Sequence, residues 1–432
     1  MLPKFLSRLR PPDEKLQASA VTDRAADGKR AGQFCGGTTQ REPGMQTFDT
    51  IVVGLGGIGG AAACQLARRG LSVLGIDQFG PVHARGSSHG QTRLFRTAYF
   101  EHADYVPLLR RAAELWRDLE RHTNRQLFTR TGVLLAGPAD GGVIRGAATA
   151  AASHGITVEQ LTAAAATDRW PVLHMPEEWT ALFEPAAGCL FVEACVQAQL
   201  AAAAAAGAEL RHGETVREIV CTDGGVELTT DTDRLAAGRL VLCPGPWAGR
   251  LLPLPGLKLT VLRKSLFWYR PAEPAGFAAA AMPCLGADTP SGFFYATPAF
   301  DCRGVKVAEH SGGRPLDGPT EVSRVIDPAE QTQVEAWTAA ALPELGTDRS
   351  GHTACFYTMT PDGHAVVGLH PDHPQVAVAA GFSGHGFKFA PVIGEALADF
   401  SGNGSTRLPV SFLSPERFSS QEGVQDVRPD SR

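Results

Sequence analysis

A glycine-rich turn between two apolar runs limits what this chain can fold into more than any other feature. Residues 48–59 read FDTIVVGLGGIG, and a second apolar run, SVLGID, ends at Asp77. The pattern predicts a strand, a tight turn, a helix over residues 60–69 and a second strand that ends in an acid. Gly54 permits the turn, Gly56 lets a pyrophosphate approach the backbone, and Gly59 lets helix and strand pack closely. The sequence therefore predicts a dinucleotide-binding unit.

The same motif indicates which dinucleotide is bound. The start of the predicted helix, around Ile58, offers free N–H groups and the positive end of a dipole to phosphate. Asp77 can accept hydrogen bonds from a ribose 2′-hydroxyl, which favours FAD or NAD over NADP. The motif alone does not separate FAD from NAD, so a nicotinamide-linked dehydrogenase stays open at this point.

Composition narrows the class of protein. A chain of 432 residues is long enough for two domains, and 44% hydrophobic with 20% charged residues is typical of a globular protein. The net charge of −5 without a basic stripe argues against a nucleic-acid partner. The sequence has no run of 18 apolar residues, so it predicts no membrane-spanning helix. The nine cysteines are not spaced as metal ligands are, so we expect neither a metal site nor a disulfide framework. We therefore expect a cytoplasmic location, where cysteines stay reduced.

The two ends of the chain look different from the rest. Residues 1–44 mix basic, acidic, glycine and proline residues without periodicity and lack the apolar core of a secretory signal. We expect a disordered N-terminal extension there, with Met45 as the natural beginning of the protein, and a flexible tail over residues 416–432.

The pattern between these ends alternates between two kinds of structure. Helical spacing predicts an amphipathic helix over residues 104–122. We also expect an alanine-rich helix over 142–154, another helix over 194–206 and a closing helix over 387–400. Residues 259–308 alternate as antiparallel strands do. The predicted fold class is therefore α/β plus α+β, in which a Rossmann-type domain is interleaved with a domain built on an antiparallel sheet.

Two segments carry residues suited to anionic groups. The loop that contains Gly384, Gly386 and Lys388 precedes the closing helix, and several of its N–H groups could stabilise one anionic atom. Arg93 and Arg96 lie three residues apart, so on a helical turn they would share one face and suit a carboxylate. The alternatives are a capped helix with a surface lysine and a solvated basic turn.

Two further segments are less specific. Lys306 and His310 lie in an alternating segment, so on a strand their side chains would point the same way. A lysine turned towards a buried site is costly unless it serves charge chemistry. Cys355 lies in an apolar strand, where a lone cysteine is usually inert packing.

From Met45 to about Pro415 the chain resembles the monomeric sarcosine oxidase family of flavoproteins, which includes N-methyltryptophan oxidase and pipecolate oxidase. The segments that carry the resemblance are the Gly54–Gly59 motif, Ser87–Arg96, Leu127–Val133, Arg169–Pro171, Cys355–Thr358 and Gly381–Phe389.

The resemblance implies a set of roles. FAD would be the cofactor, attached covalently through Cys355. Arg96 and Lys388 would bind the substrate carboxylate, and Tyr295 and His310 would line the substrate cavity. Lys306 would lie near flavin N5 and favour electron transfer to O₂. The remaining implied cofactor contacts are His89, Thr92 and Arg93.

The implied activity is the oxidation of an N-methyl or cyclic amino acid with O₂ by a monomer. For sarcosine the products would be glycine, formaldehyde and H₂O₂. Gly286 and Thr297 stand where sarcosine oxidases tend to carry bulkier side chains, so we expect a larger cavity. N-methyl-L-tryptophan or L-pipecolate is therefore an alternative substrate, and a flavoprotein used only for binding or assembly is a rival outside the class.

The resemblance also implies a division into domains. The FAD-binding domain would comprise residues 45–130, 190–250 and 352–415. The substrate domain would comprise residues 131–189 and 251–351.

Overall fold

The structure is a computed structural model that describes residues 45–251 and 253–419. The predicted extension at residues 1–44 lies outside the described residues, as does most of the predicted tail. Residues 416–419 of that tail are described, and Phe418 is buried.

Over the described residues the chain forms twenty strands and eight α-helices. The strands are β1 (Gln46–Val53), β2 (Val73–Asp77), β3 (Thr92–Phe95), β4 (Phe128–Thr129), β5 (Val133–Pro138), β6 (Glu159–Thr162), β7 (Trp179–Glu184), β8 (Gly188–Phe191), β9 (Glu209–His212), β10 (Val216–Thr222), β11 (Gly225–Thr230), β12 (Arg234–Leu242), β13 (Thr260–Tyr269), β14 (Cys284–Thr289), β15 (Gly292–Thr297), β16 (Val305–Glu309), β17 (Arg314–Leu316), β18 (Arg349–Met359), β19 (Val366–His370) and β20 (His373–Ala380). The helices are α1 (Gly57–Arg68), α2 (Tyr105–Thr123), α3 (Gly142–His154), α4 (Ala163–Arg169), α5 (Val192–Ala205), α6 (Ala248–Leu251), α7 (Pro328–Ala341) and α8 (Ala390–Asn403).

The helices predicted from apolar spacing are confirmed, with small shifts at their ends. The helix α2 buries Leu108, Leu109, Ala112 and Trp116 on one face, as the spacing predicts. The closing helix starts later than expected, because a 3₁₀ turn occupies residues 387–389 before α8. A proline near the start of α8 fits this boundary, since proline lacks the N–H that a helix interior needs. No helix in the described part of the chain is long and apolar enough to cross a bilayer.

One sheet carries the predicted dinucleotide motif. Its strands run in the order β10-β11-β12-β1-β2-β9, and β20 joins through β12 and is followed by β19. The strands β12, β1, β2 and β9 pair in parallel, and β20 pairs in parallel with β12. The helix α1 contacts α5 and α8 over this sheet. The carboxyl ends of the parallel strands therefore meet at one edge, where a doubly wound sheet binds its ligand.

A second sheet has nine strands in the order β17-β13-β16-β15-β14-β5-β7-β6, with β18 paired to β13. Most of its pairs are antiparallel, as expected, but β14 pairs with β5 in parallel. A third sheet of three strands has the order β3-β8-β4. Both larger sheets draw on separated parts of the chain. The predicted domain ranges stay a prediction.

Candidate active site

The larger of two adjoining cavities lies at the carboxyl ends of β1, β2, β12 and β20 and has a volume of about 500 Å³. Eight of the predicted cofactor residues line it: Gly54, Gly56, Ile58, Gly59, Asp77, Arg93, Gly384 and Gly386. The glycine turn and the closing loop, far apart in sequence, therefore face the same space.

The turn at the start of this cavity requires glycine. Gly54 has a φ of +90°, and a Cβ atom there would lie 2.3 Å from the carbonyl oxygen of Cys243. Side chains with a Cβ rarely adopt this φ. The backbone amide of Gly57 donates to the Ser88 hydroxyl at 3.0 Å, which ties the turn to the loop after β2. The motif thus leaves bare backbone facing the cavity.

Asp77 lies at the end of β2, where the spacing predicts a ribose-binding acid. Its carboxylate accepts hydrogen bonds from the amides of Leu55 at 2.8 Å and Phe79 at 2.9 Å. His83 Nε2 lies 3.4 Å from the same carboxylate. Since a carboxylate has about four lone-pair sites, Asp77 keeps acceptor capacity for a ligand hydroxyl.

The closing loop packs against the boundary of the two cavities. Gly384 has a φ of +86°, and a Cβ atom there would meet the Tyr357 ring at 2.3 Å. Both Gly384 and Tyr357 line the larger cavity and a smaller neighbour. A glycine is therefore required where the loop meets the ring.

Cys355 is buried on β18 beside this boundary. Its Sγ lies 3.5 Å from an Arg93 guanidinium nitrogen and 3.7 Å from the carbonyl oxygen of Ser87. Burial raises the pKa of the Cys355 thiol, but His89 and Arg93 outweigh burial and bring the pKa down to about 6. At neutral pH the sulfur is therefore largely a thiolate, which is the nucleophilic form.

His89 and Arg93 differ in how they are held. Arg93 donates to the carbonyl oxygens of Thr92 at 2.8 Å and Ser87 at 2.9 Å. His89 is buried, and its Nε2 has no hydrogen-bond partner among the described residues. Because an unpaired buried nitrogen is costly, this atom fits a bound group that would complete its hydrogen bonds.

Lys306 is fully buried on β16, behind the loop that carries His89. Its Nζ donates to the carbonyl oxygens of Gly90 and Thr92, both at 2.8 Å. The rings of Tyr295 and Trp268 lie 5.7 and 6.0 Å from the same nitrogen. Burial, together with Arg93, lowers the pKa of Lys306 well below its usual value. Lys306 is thus anchored to the backbone, and no ion pair to it is found among residues 45–251 and 253–419.

The smaller cavity, of about 70 Å³, adjoins the larger one and shares Arg93, Tyr357, Gly384 and Phe387 with it. Its other lining residues include four predicted substrate residues: Arg96, Tyr295, His310 and Lys388. Its remaining walls are mainly apolar, formed by Leu94, Phe100, Leu135 and Phe293. The smaller cavity thus combines two cations with apolar walls.

Arg96 is paired within the protein. Its guanidinium donates to both carboxylate oxygens of Glu101, at 2.9 and 2.8 Å, and to the carbonyl oxygen of Ala98 at 2.9 Å. It also lies 4.2 Å from the centre of the Phe100 ring. Burial raises the pKa of Glu101, but Arg96 and Lys388 outweigh it and lower the pKa to about 2. Glu101 is therefore ionised.

Lys388 is the second cation of the cavity and lies over an aromatic face. Its Nζ is 4.8 Å from the centre of the Tyr99 ring. No ion pair or hydrogen bond to its Nζ is found within the described ranges. Burial and Arg96 lower the pKa of Lys388 to about 7, against the opposing effect of Glu101. An anionic ligand would therefore favour the protonated form of Lys388.

Tyr295 and His310 complete the cavity as neutral groups. His310 Nδ1 lies 3.0 Å from the Tyr357 hydroxyl, and burial with Lys264 lowers the pKa of His310 to about 3. Burial raises the pKa of Tyr295 to about 12, although Arg93 opposes it. Both side chains can orient a ligand by hydrogen bonding without adding charge near pH 7.

Comparisons with known proteins agree with this arrangement. Residues 49–400 match the family described as FAD dependent oxidoreductase. This chain belongs to that family.

Three relatives show how close the match is. The chain is 38% identical to a monomeric sarcosine oxidase of Streptomyces avermitilis, over 86% of this chain and 98% of the relative. It is 33% identical to an N-methyl-L-tryptophan oxidase of Salmonella dublin, over 86% and 99%. The solved structure of NikD, an unusual amino acid oxidase essential for nikkomycin biosynthesis, superimposes with a TM-score of 0.77 at 28% identity, over 86% and 98%.

Membership of the FAD dependent oxidoreductase family makes the chain an FAD-dependent amine oxidoreductase. The residues around the larger cavity fit FAD. Bare glycine backbone faces the cavity where a diphosphate needs close approach, and Asp77 retains acceptor capacity. The nicotinamide alternative does not hold, and the predicted fold class is confirmed.

One local expectation within this family member is wrong. The segment that contains Arg93 is the strand β3, paired with β8, and Arg96 follows its end, so the two arginines do not share a helical face. The strand forms because Leu94 and Phe95 are paired opposite Cys189 and Gly188 of β8. Arg93 and Arg96 nevertheless both line the smaller cavity.

Gly286 and Thr297 were expected to enlarge the cavity, and neither does so as part of its wall. Neither Gly286 nor Thr297 lines the smaller cavity. Thr297 is fully buried with its hydroxyl 3.3 Å from that of Thr92. At Gly286 the side chains of Phe293 and Leu135 fill the space that a larger residue would occupy.

Sequence reasoning missed three residues of the site: Glu101, Tyr357 and Glu193. Glu193 accepts hydrogen bonds from the amides of Gly90 and Gln91 at 2.7 and 3.1 Å, and so fixes the loop that holds Lys306. No spacing rule links these residues to their partners. A sequence signal existed only for Tyr357, since it lies two residues after Cys355 in the same conspicuous segment.

Proposed function

We propose that this protein oxidises an N-methyl amino acid with O₂. For sarcosine, water and O₂ are consumed, and glycine, formaldehyde and H₂O₂ are formed. The observation that carries the proposal is the placement of Arg96 and Lys388 in a small cavity that adjoins the dinucleotide cavity. The sarcosine oxidase and N-methyltryptophan oxidase relatives support the same substrate class.

The carboxylate of the substrate binds at the cationic end of the cavity. Lys388 offers a charge that has no carboxylate partner in the described part of the chain, while Arg96 offers guanidinium N–H groups that Glu101 only partly occupies. The combined charge of Arg96, Glu101 and protonated Lys388 is +1, so a monoanion neutralises the site. Fixing the carboxylate at one end leaves the N-methyl group to point along the cavity.

FAD, when bound, accepts the two electrons released from the carbon beside the amine. Tyr295 and His310 add no charge to the site, because both are neutral near pH 7. Phe293, Leu135 and Leu94 are apolar walls that exclude water. Exclusion of water strengthens the pull of Arg96 and Lys388 on the substrate.

Cys355 is proposed as the point where FAD is attached, through a thioether to the 8α-methyl group. Cys355 would hold the cofactor by this bond, and O₂ would serve as the two-electron oxidant that the attachment requires, leaving as H₂O₂. The low pKa of Cys355, set by His89 and Arg93 against burial, supports this role because the thiolate is the reactive form.

Lys306 is proposed to act in the reaction with O₂. Its amine is held in place by two backbone carbonyls beside Tyr295, where a protonated amine would stabilise the anion formed as O₂ takes up electrons. Burial and Arg93 lower the pKa of Lys306, and a negative group beside the amine would oppose that shift and favour the protonated form. We further propose that the protein acts as a monomer, since relatives carry that description in their names. The cytoplasmic location remains a prediction.

Oxygen uptake with two matched controls tests the proposal. Sarcosine should be consumed with formaldehyde and H₂O₂ formed in equal amounts. N-Methylethylamine, which lacks the carboxylate, and glycine, which lacks the methyl group, should react far more slowly. Equal rates for all three compounds, or no reaction with any N-methyl amino acid, would refute the assignment.

A further inference from the structure

The nine-stranded sheet presents a row of residues to the smaller cavity. Leu135 of β5 and Tyr295 of β15 lie in register with Gly286 of β14, one on each side. Partners in register point to the same face of a sheet. Leu135 and Tyr295 line the cavity, so Gly286 is a gap in the row of side chains below it.

Two neighbours fill this gap. A Cβ atom on Gly286 would lie 2.8 Å from Cζ of Phe293 and 2.9 Å from Cδ2 of Leu135. Contacts this short force something to shift. Phe293 and Leu135 both line the smaller cavity, so their position over Gly286 determines how much of the cavity they leave open.

The Phe293 ring is held from several directions. Its centre lies 5.8 Å from that of Phe100 and 5.7 Å, edge to face, from that of His310. Its backbone amide donates to the Ser311 hydroxyl at 2.8 Å, and its carbonyl accepts from the His310 amide at 2.6 Å. The ring is therefore a fixed wall, and a substrate must fit beside it.

The free volume limits what fits. One water needs at least about 10–15 Å³ by the same measure, so the cavity of about 70 Å³ has room for only a few small groups. Sarcosine has six non-hydrogen atoms, L-pipecolate has nine and N-methyl-L-tryptophan has sixteen. Arg96 and Lys388 fix the carboxylate at one end, so a bulky substituent on the α-carbon would meet Phe293.

We propose that Phe293, seated over Gly286, determines specificity and restricts the substrate to compact N-methyl amino acids with no bulky substituent on the α-carbon. The inference rests on the proposed function and narrows its substrate class. Gly286 acts as a positioning residue, because its missing side chain lets the ring stand back from the cavity.

Binding of simple carboxylates, followed by the absorbance of the bound flavin, tests this without turnover. The probes are acetate and cyclopentanecarboxylate, and the readout is the ratio of their Kd values. In Phe293→Ala the Kd for cyclopentanecarboxylate should fall relative to the Kd for acetate by a factor of about ten or more, because the substitution opens space in an apolar pocket. Gly286→Ala should shift the ratio the other way, because its Cβ pushes Phe293 into the cavity. Gly402→Ala, at a glycine with open space around it, is the matched control and should leave the ratio unchanged.

Different results would overturn the role of Phe293 and the proposed oxidation of N-methyl amino acids. A ratio that stays within twofold of the wild type in both Phe293→Ala and Gly286→Ala, with acetate still bound, overturns the role of Phe293. Phe293→Leu replaces Phe293→Ala if the latter does not fold. If no N-methyl amino acid reduces the flavin but the Kd ratio still changes as expected in the two variants, the proposed function is overturned. The role of Phe293 in limiting the size of a bound carboxylate is then retained.

Discussion

Glu101 accepts two hydrogen bonds from the Arg96 guanidinium, at 2.9 and 2.8 Å, inside the cavity proposed for the substrate. A carboxylate of the protein is therefore already paired with one of the two cations proposed to bind a carboxylate of the substrate. Lys388, whose pKa burial and Arg96 lower to about 7, is left as the cation whose charge responds to a ligand. The electrostatics of binding should follow from this asymmetry.

The affinity for acetate should depend on pH through Lys388. Binding needs the protonated amine and the acetate anion, so the Kd should be constant from about pH 6 to about pH 7 and rise about tenfold per pH unit above it, until the raised pKa of the bound state is reached. His310 and His385, with pKa values of about 3 and 4, are already neutral there and should not contribute. Titration of the flavin absorbance with acetate measures this. Arginine stays charged at these pH values, so Lys388→Arg should abolish the rise of the Kd above pH 7. A rise that persists in this variant would mean that another group causes the pH dependence.

Replacement of Glu101 by glutamine should move that pH dependence. Glu101 raises the pKa of Lys388, so Glu101→Gln should lower it, and acetate binding should begin to weaken at a lower pH than in the wild type. The same acetate titrations give the midpoint. Glu114→Gln, which removes a carboxylate from an exposed ion pair with Arg111, is the matched control. A midpoint that moves upwards in Glu101→Gln would contradict the proposed coupling.

Cys355→Ala should leave the flavin extractable. Without the thiolate no thioether can form, so acid precipitation should release the yellow colour into the supernatant, whereas the wild-type precipitate should stay coloured. Cys302→Ala removes an exposed cysteine and should behave as the wild type. Colour retained in the Cys355→Ala precipitate would show that the attachment point lies elsewhere.

Lys306→Met should separate the two halves of the reaction. Reoxidation by O₂ should slow by a factor of about 100 or more, as for loss of a group that stabilises developing charge, while reduction by substrate changes little. The carbonyl oxygens of Gly90 and Thr92 would each lose one donor but keep another, from the Thr92 amide and from Arg93, so the loss of stability should be about 0.5–1.5 kcal/mol for each lost hydrogen bond. Stopped-flow measurement of each half-reaction and thermal unfolding test both effects. Equal slowing of reduction and reoxidation would remove Lys306 from the O₂ reaction.

The parts of this protein that sequence reasoning predicted well are those fixed by local patterns. The glycine turn, Asp77 at the end of β2 and the apolar stripe of α2 depend on residues close together in the chain, and all three are found. The grouping of Arg96, Lys388, Tyr295 and His310 followed from family resemblance, and these residues do line one cavity.

The parts that it missed depend on contacts between distant segments. Arg93 lies on a strand because β8, nearly 100 residues later, pairs with it, and no local pattern encodes that partner. Gly286 was expected to enlarge the cavity because a small residue leaves space. The structure fills that space with Phe293, and only the pairing of β14 with β5 and β15 places the two side chains there.

Anaerobic mixing of the purified protein with sarcosine shows whether the bound flavin takes up electrons from an N-methyl amino acid. We expect the absorbance band of the oxidised flavin to bleach on mixing and to return when O₂ is admitted, with H₂O₂ formed as it returns. An oxidised flavin band that persists with sarcosine and with every other N-methyl amino acid would contradict the proposed function.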